Sequence, residues 1–168
     1  VYPGDAATAL IPFDATVTLA TPSGPRTLSV EQLVPGDLLV DGRIQSHVVR
    51  ANEILTEVVI PPPMPDARTS FEKLRPRGVW DFAMAALALN VQLRNAVVQD
   101  ARVVFGGIAG RPVRERTVEE LLKGKGLTSD VIAQAVERSL ANAAPLKYNA
   151  MKIEMAKGLL ASGLEKVR

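Results

Sequence analysis

The sequence predicts an α+β chain in which strands come first and helices last. Short segments that alternate β-branched and apolar residues recur between residues 16 and 106. Helix signals with apolar residues on a 3.6-residue period are concentrated after residue 117. Pro61-Pro62-Pro63 separates two stretches of opposite charge: residues 1–66 hold three Lys/Arg against eight Asp/Glu, and residues 67–168 hold seventeen against ten. The stretch 61–66 is therefore the expected boundary between a unit 1–66 and a unit 67–168.

In chain order, residues 5–10 are apolar enough for one helical turn, with Asp5 placed to cap it. Thr16–Ala20 alternates, Pro22-Ser23-Gly24 turns the chain, and Arg26–Ser29 returns as the second strand of a hairpin. Residues 30–33 fit a single helical turn. Residues 35–50, with Pro35-Gly36-Asp37 and Asp41-Gly42, carry turn signals and predict a loop excursion that holds His47 at the surface. Residues 53–60 are strand-like and end at the prolines, which cannot donate to a ladder. Residues 68–73 predict a further strand, and Asp81 a possible helical turn. The alanine-rich run 83–93 fits a helix by propensity and a strand by alternation.

Three helices follow. Thr117-Val118-Glu119-Glu120 has the spacing of a capping box and opens a helix that stops at Gly124. Thr128 opens a second, with Ile132, Val136 and Leu140 on one face, ending before Pro145. Asn149 is positioned to cap a third, whose stripe is Met151, Met155, Leu159, Leu160 and Leu164.

Composition excludes several kinds of chemistry. The 168 residues include no cysteine, which removes disulfides, thiolate nucleophiles and cysteine-held iron–sulfur clusters from this chain. One histidine argues against a histidine-based metal site or a Ser-His-Asp triad. No apolar run of about 20 residues suggests a membrane span, and no signal pattern opens the chain; a cytoplasmic location is expected. The arginines are scattered and aromatic residues make up 4% of the sequence, so stacking platforms for nucleic acid are thin. Gly124-Lys125-Gly126 lacks the spacing of a phosphate loop and predicts a connection between helices. Arg111, Arg114 and Arg116 form a charge run expected at the surface.

Three motifs stand in register: Phe71-Glu72-Lys73, Asp81-Phe82-Ala83, and Phe105-Gly106-Gly107 with Arg111-Pro112 behind it. Tyr2-Pro3-Gly4-Asp5-Ala6 precedes them, as do Asn52-Glu53-Ile54-Leu55 and Ile60-Pro61, and residues 150–164 close the chain. In this order they resemble the flavoprotein subunit of the molybdenum hydroxylases, the family of xanthine dehydrogenases, aldehyde oxidases and aerobic CO dehydrogenases. The resemblance favours a strand over 83–93, paired through a turn near Asn95 with residues 97–106. It implies part of a flavin-facing subdomain followed by a sandwich of antiparallel sheet and three helices.

The family's glycine-rich phosphate loops, of the A-G-G-T and T-[IL]-G-G kind, do not occur in this sequence. The chain therefore resembles the second half of such a subunit, with the FAD-binding segment that carries those loops expected upstream. Gly4 stands where the family usually has serine. By resemblance, Asp5 would accept a hydrogen bond from the flavin, Leu55 would pack against its ring, Lys73 would bring an ammonium near it, and Asp81 would adjust the local field. Each has a plain structural alternative: a cap for Asp5, a core position for Leu55, a solvent-facing strand position for Lys73, and pairing with Arg75 or Arg77 for Asp81. Trp80 could shield the ring or anchor a core or interface. Gly106-Gly107 fits a tight exit from a strand better than a phosphate site.

The function implied is that of part of an FAD-binding electron-transfer subunit. Molybdopterin and iron–sulfur clusters would sit on partner subunits, and no residue here would act directly on the oxidised substrate. The alternative is a non-catalytic module that docks subunits without flavin; a nucleic-acid-binding domain ranks third.

Overall fold

The computed structural model describes residues 2–36, 38–40 and 43–168. Its centre is a four-stranded antiparallel sheet in the order β6-β7-β8-β9, formed by Ala67–Leu74, Ala85–Arg94, Val97–Gly106 and Val113–Arg114. Introduced in chain order, the elements before it are α1 (Asp5–Leu10), a 3₁₀ turn (Ile11–Phe13), β1 (Thr16–Ala20), β2 (Arg26–Ser29), α2 (Val30–Leu33), β3 (Leu38–Val40), β4 (Arg43–Gln45) and β5 (Ile54–Val59). After the sheet come α3 (Arg116–Leu122), α4 (Ser129–Arg138) and α5 (Met151–Val167).

The alanine-rich segment is a strand, and its position explains its composition. Every residue of β7 from Ala85 to Val91 is buried, because the sheet is covered on both faces. Leu87, Leu89 and Val91 share a core with Val103, Phe105, Leu122, Leu160 and Leu164 on the helical side. Ala88 of β7 and Val104 of β8 point the other way and share a core with Ala7, Ile11, Val17 and Val30. Small side chains on that second face let the N-terminal layer approach closely: a Cβ on Gly106, which pairs with Ala86, would stand 2.5 Å from Thr8 Oγ1. A two-residue connection joins β7 to β8, with Asn95 at φ 52° and Ala96 at φ 60°. Two successive left-handed residues match the twist of the strands they link.

On the helical side Gly163 gives α5 a similar close approach, since a Cβ there would stand 2.7 Å from Leu87 Cδ2. Glu72 on β6 adds polar ties to α5, accepting from Lys166 at 2.9 Å and from Ser162 at 3.2 Å.

The N-terminal part builds its own sheet, in the order β2-β1-β5. The β1–β2 hairpin forms as expected. Ser29 and Gln32 make a reciprocal capping box at α2. The excursion 35–50 is more ordered than its turn signals predict, because β3 and β4 pair as a second hairpin within it. Its Asp37 and Asp41-Gly42 turn signals lie outside the described residues; His47 is exposed. Where the chain leaves the excursion, Arg26 donates to both oxygens of Glu53, at 2.9 and 2.8 Å, and the Arg50 N–H donates to Glu53 Oε2 at 2.9 Å. The Arg26 guanidinium, and secondarily the Arg50 N–H, hold the Glu53 carboxyl at about 2, below its ordinary 4.5. A carboxyl depressed on folding contributes stability above its unfolded pKa and loses it as pH falls through the folded one. The stability gap between the protein and its Glu53→Gln variant should therefore be constant above pH 4.5 and close as pH falls toward about 2. Urea midpoints measured across that window test this.

Several helix ends differ from expectation. Thr117 and Glu120 form no capping box: α3 begins at Arg116 after Glu115, without a side-chain cap. Thr128 does cap α4, accepting from the Val131 N–H at 3.3 Å. Leu140 lies beyond the end of α4, at φ 56°. Asn149 does not cap α5; its Oδ1 instead accepts from the Leu146 N–H at 2.6 Å in the preceding turn. Met151 is exposed, and the buried stripe of α5 starts farther along, through Ala156, Leu159, Leu160 and Leu164. Val113–Arg114 adds a short fourth strand that the sequence did not suggest, and Asp81 starts no helical turn.

Candidate functional site

Odd-numbered residues of β6 face the N-terminal layer, and the structure uses one of them to reach α1. The Lys73 ammonium donates to Asp5 Oδ2 at 2.6 Å across 68 residues of sequence. Lys73 is neither a solvated strand lysine nor a free one, since its side chain is 17% exposed while that of Asp5 is 43% exposed. Gly4 occupies the cap position of α1 with no side-chain cap, so Asp5 lies in the first turn, with its carboxylate turned to Lys73. An acidic group there also suits the helix dipole. The space a serine would need at position 4 is filled: a Cβ on Gly4 would stand 2.7 Å from the Tyr2 ring.

Leu55 lies on β5, opposite Leu19, and is 40% exposed, so it is not an ordinary core leucine. All six residues of β5 are exposed, and among the described residues the strand has a sheet partner only on its β1 side. Ile54, Leu55, Val58, Val59 and the following Ile60 thus form an uncovered apolar edge.

Asp81 is held by its own loop. Its Oδ2 accepts from Arg77 Nε at 3.1 Å, and its Oδ1 accepts from the Phe82 N–H at 2.9 Å. Arg77 also donates to the Trp80 carbonyl at 3.1 Å. This leaves Trp80 94% exposed at φ 50°, outside any core of the described residues. Asp5 and Lys73 are thus brought together, whereas Leu55 and Asp81 hydrogen-bond to neither.

Gly106-Gly107 is a strand exit. Gly107 has φ +72°, and a Cβ there would stand 2.8 Å from the Ala83 carbonyl oxygen. It connects the end of β8 to the Asp81-Phe82-Ala83 segment by close backbone approach. Gly124-Lys125-Gly126 also has a structural role: the Gly124 N–H donates to Val98 O at 2.8 Å, and the Val98 N–H to Lys125 O at 2.9 Å.

One buried charge cluster was not expected from the sequence analysis. Glu119 on α3 accepts from Arg114 Nε at 2.9 Å and Nη2 at 3.0 Å, and from the Val103 N–H at 2.9 Å. The two side chains are 14% and 8% exposed, so Arg114 belongs to the interior and not to a solvated charge run. Arg102 and Arg114 both reach Asp14 at 3.3 Å, and Arg116 reaches Glu31 at 2.8 Å. With Lys73–Asp5, these pairs tie the acidic N-terminal part to the basic remainder. A usable signal was available, since Glu119 sits among Val118, Leu121 and Leu122 and an acid on a buried helix face requires a cation.

Among the described residues no group of His, Asp and Glu could hold a metal ion, and no helix is long and apolar enough to cross a membrane.

Residues 70–167 match the family model of the CO dehydrogenase flavoprotein C-terminal domain. The glyceraldehyde dehydrogenase medium chain of Sulfolobus acidocaldarius is 26% identical over 123 residues, which cover 73% of this chain and 41% of that one. The nicotinate dehydrogenase FAD-subunit of Eubacterium barkeri is 29% identical over 130 residues, covering 77% and 43% respectively. The chain thus spans less than half the length of these curated relatives. Among solved structures, a carbon monoxide dehydrogenase from Hydrogenophaga pseudoflava that lacks the Mo-pyranopterin moiety superimposes with a TM-score of 0.86 at 22% identity, over 97% of this chain and 55% of that one. Quinoline 2-oxidoreductase from Pseudomonas putida 86 gives 0.79 at 20% identity, over 98% and 56%. These likenesses establish a shared fold, with an antiparallel sheet backed by helices. With more than half of its residues inside the matched model, the chain belongs to the CO dehydrogenase flavoprotein C-terminal domain family.

Proposed function

We propose that this chain is part of the FAD-binding, electron-transferring subunit of a molybdenum hydroxylase-type dehydrogenase. In this reading, residues 1–66 complete a flavin-facing subdomain and residues 67–168 form the C-terminal domain. The observation that carries it is the Lys73–Asp5 pair, two residues of family-like motifs joined at 2.6 Å on the face shared by β6 and α1. The donor set suits the isoalloxazine end of a flavin. An ammonium with two further protons supplies positive charge, a half-exposed carboxylate supplies an acceptor, and the uncovered edge of β5 supplies apolar surface that includes Leu55. Asp81 fits less directly, because both its oxygens are engaged within its own loop. The sequence holds no loop of the family's phosphate-binding kind, so a segment carrying one would supply the rest of the site, and the open side of β5 is a pairing edge for it.

When bound, FAD supplies one- and two-electron transfer. The residues of this chain hold and orient it and set the local charge. Relatives bear the names of a medium chain and an FAD-subunit, which supports assembly with further subunits; in this reading those partners carry the iron–sulfur clusters and molybdopterin, and the complex works in the cytoplasm.

The purified protein, with whatever chains accompany it, should show flavin absorption near about 370 and 450 nm. Lys73→Met should lower the flavin midpoint potential, because removing a nearby positive charge disfavours the more negative reduced state. A colourless assembly with partners would overturn the flavin reading in favour of a docking module. A coloured one whose potential ignores Lys73→Met would remove Lys73 from the site.

A further inference from the structure

A second site lies on the helical side of the chain, independent of the flavin reading. A cavity of about 390 Å³ opens between the loop that leaves β8, the start of α3 and the connection from α4 to α5. This is at the lower end of the range for small-molecule sites. Its apolar walls are Ile108, Val113, Leu140 and Ile153, and small side chains at Ala109, Ala141, Ala143 and Ala144 keep it open.

The walls are fixed by hydrogen bonds. The Lys152 ammonium donates to the Gly107 carbonyl at 2.7 Å, tying α5 to the β8 exit. The Leu140 N–H donates to Glu115 Oε2 at 3.1 Å, which holds this leucine in its left-handed conformation at the cavity wall. Such conformations cost energy in a non-glycine residue and persist where the surroundings enforce them, often at ligand clamps.

The ionisable lining residues are Glu115, Lys152 and Arg138. One Glu115 oxygen is committed to Leu140 and one Lys152 proton to Gly107, whereas Arg138 makes no ion pair among the described residues. The lining therefore offers an apolar body, a planar fork of donors on Arg138 and one net positive charge. We propose that this cavity is a binding site for a small monoanion with an apolar body of about one aromatic ring, its carboxylate taken by Arg138. A guanidinium binds a carboxylate through two parallel N–H donors, and a neutral isostere forfeits both charge-assisted bonds.

Benzoate, benzyl alcohol and benzylamine share a shape and differ in charge, so they probe the site in saturation-transfer NMR on the purified protein. Benzoate should bind at about millimolar concentration and about tenfold tighter than the alcohol, with no binding of the amine. Arg138→Gln should erase the preference for benzoate, and Ala143→Trp, which fills the cavity from an exposed loop, should abolish binding. Both variants should keep the parent Tm, which separates lost binding from lost fold. Equal binding of the three probes, or benzoate binding that survives Ala143→Trp, would overturn the proposal, as would no binding of benzoate at all.

Discussion

Glu119→Ala should lower the stability of the protein by about 3–5 kcal/mol, the usual result of removing one member of a buried ion pair. Two consequences add. Arg114, 14% exposed, loses the carboxylate that both Nε and Nη2 address, and the Val103 N–H at the centre of β8 loses its acceptor. For a chain of this length the change should appear as a fall in Tm of about 10 °C. Replacing both partners, as Arg114→Met with Glu119→Leu, should recover much of the loss, because it leaves no uncompensated charge and only one orphaned backbone donor. Urea unfolding of the two variants decides the matter. A loss below about 1 kcal/mol for Glu119→Ala would mean that Arg114 turns to Asp14, which it already approaches at 3.3 Å, and behaves as an exposed pair.

The second large effect concerns glycine. Gly107 and Gly124 have nearly the same backbone, with φ +72° and +77°, but different surroundings. No atom lies within 4 Å of a Cβ built on Gly124, whereas a Cβ on Gly107 meets the Ala83 carbonyl oxygen at 2.8 Å and the Ala83 Cβ at 3.0 Å. Gly124→Ala therefore carries only the cost of a left-handed alanine, about 1–2 kcal/mol. Gly107→Ala adds overpacking against backbone that cannot rotate away, for a total of about 3 kcal/mol. Denaturant midpoints of the two variants give the difference directly. Equal losses would show that segment 81–83 yields, and that the double glycine is required only for its dihedral angles.

How much of this was legible in the sequence depended on whether the deciding contact was local. The β1–β2 hairpin, the Thr128 cap and the stop at Gly124 follow from neighbours in sequence, and each is present. The box at Thr117 and Glu120 met the spacing rule but lost to a distant partner: the Glu115 N–H donates to the Val103 carbonyl at 2.8 Å, which fixes the start of α3 two residues earlier. Asn149 was likewise a plausible cap until the turn at Leu146 claimed its side chain. Helix propensity misjudged this alanine-rich run: Ala88 is small because the N-terminal layer packs on it, while Ala85 sits in the core on the helical side. Alternation allowed a strand there as well as a helix, and the resemblance favoured the strand. The resemblance also singled out both Asp5 and Lys73, which no spacing rule could pair across 68 positions. It did not reveal Arg114–Glu119, although an acid inside an apolar helix face was there to be noticed.

The two-sided burial of β7 bears on how the chain assembles. The β7–β8 hairpin is closed by two residues and has its long-strand register set by local contacts, so it can form early at little entropic cost. Only α3 covers it from nearby; α1 and the 3₁₀ turn come from more than about 70 residues before it and α5 from more than about 40 after, and each must close a long loop to arrive. Until both layers land, the hairpin presents apolar side chains on one face and a shallow, alanine-lined groove on the other. The N-terminal layer seals that second face, and the opposite charges on the two parts favour its docking there.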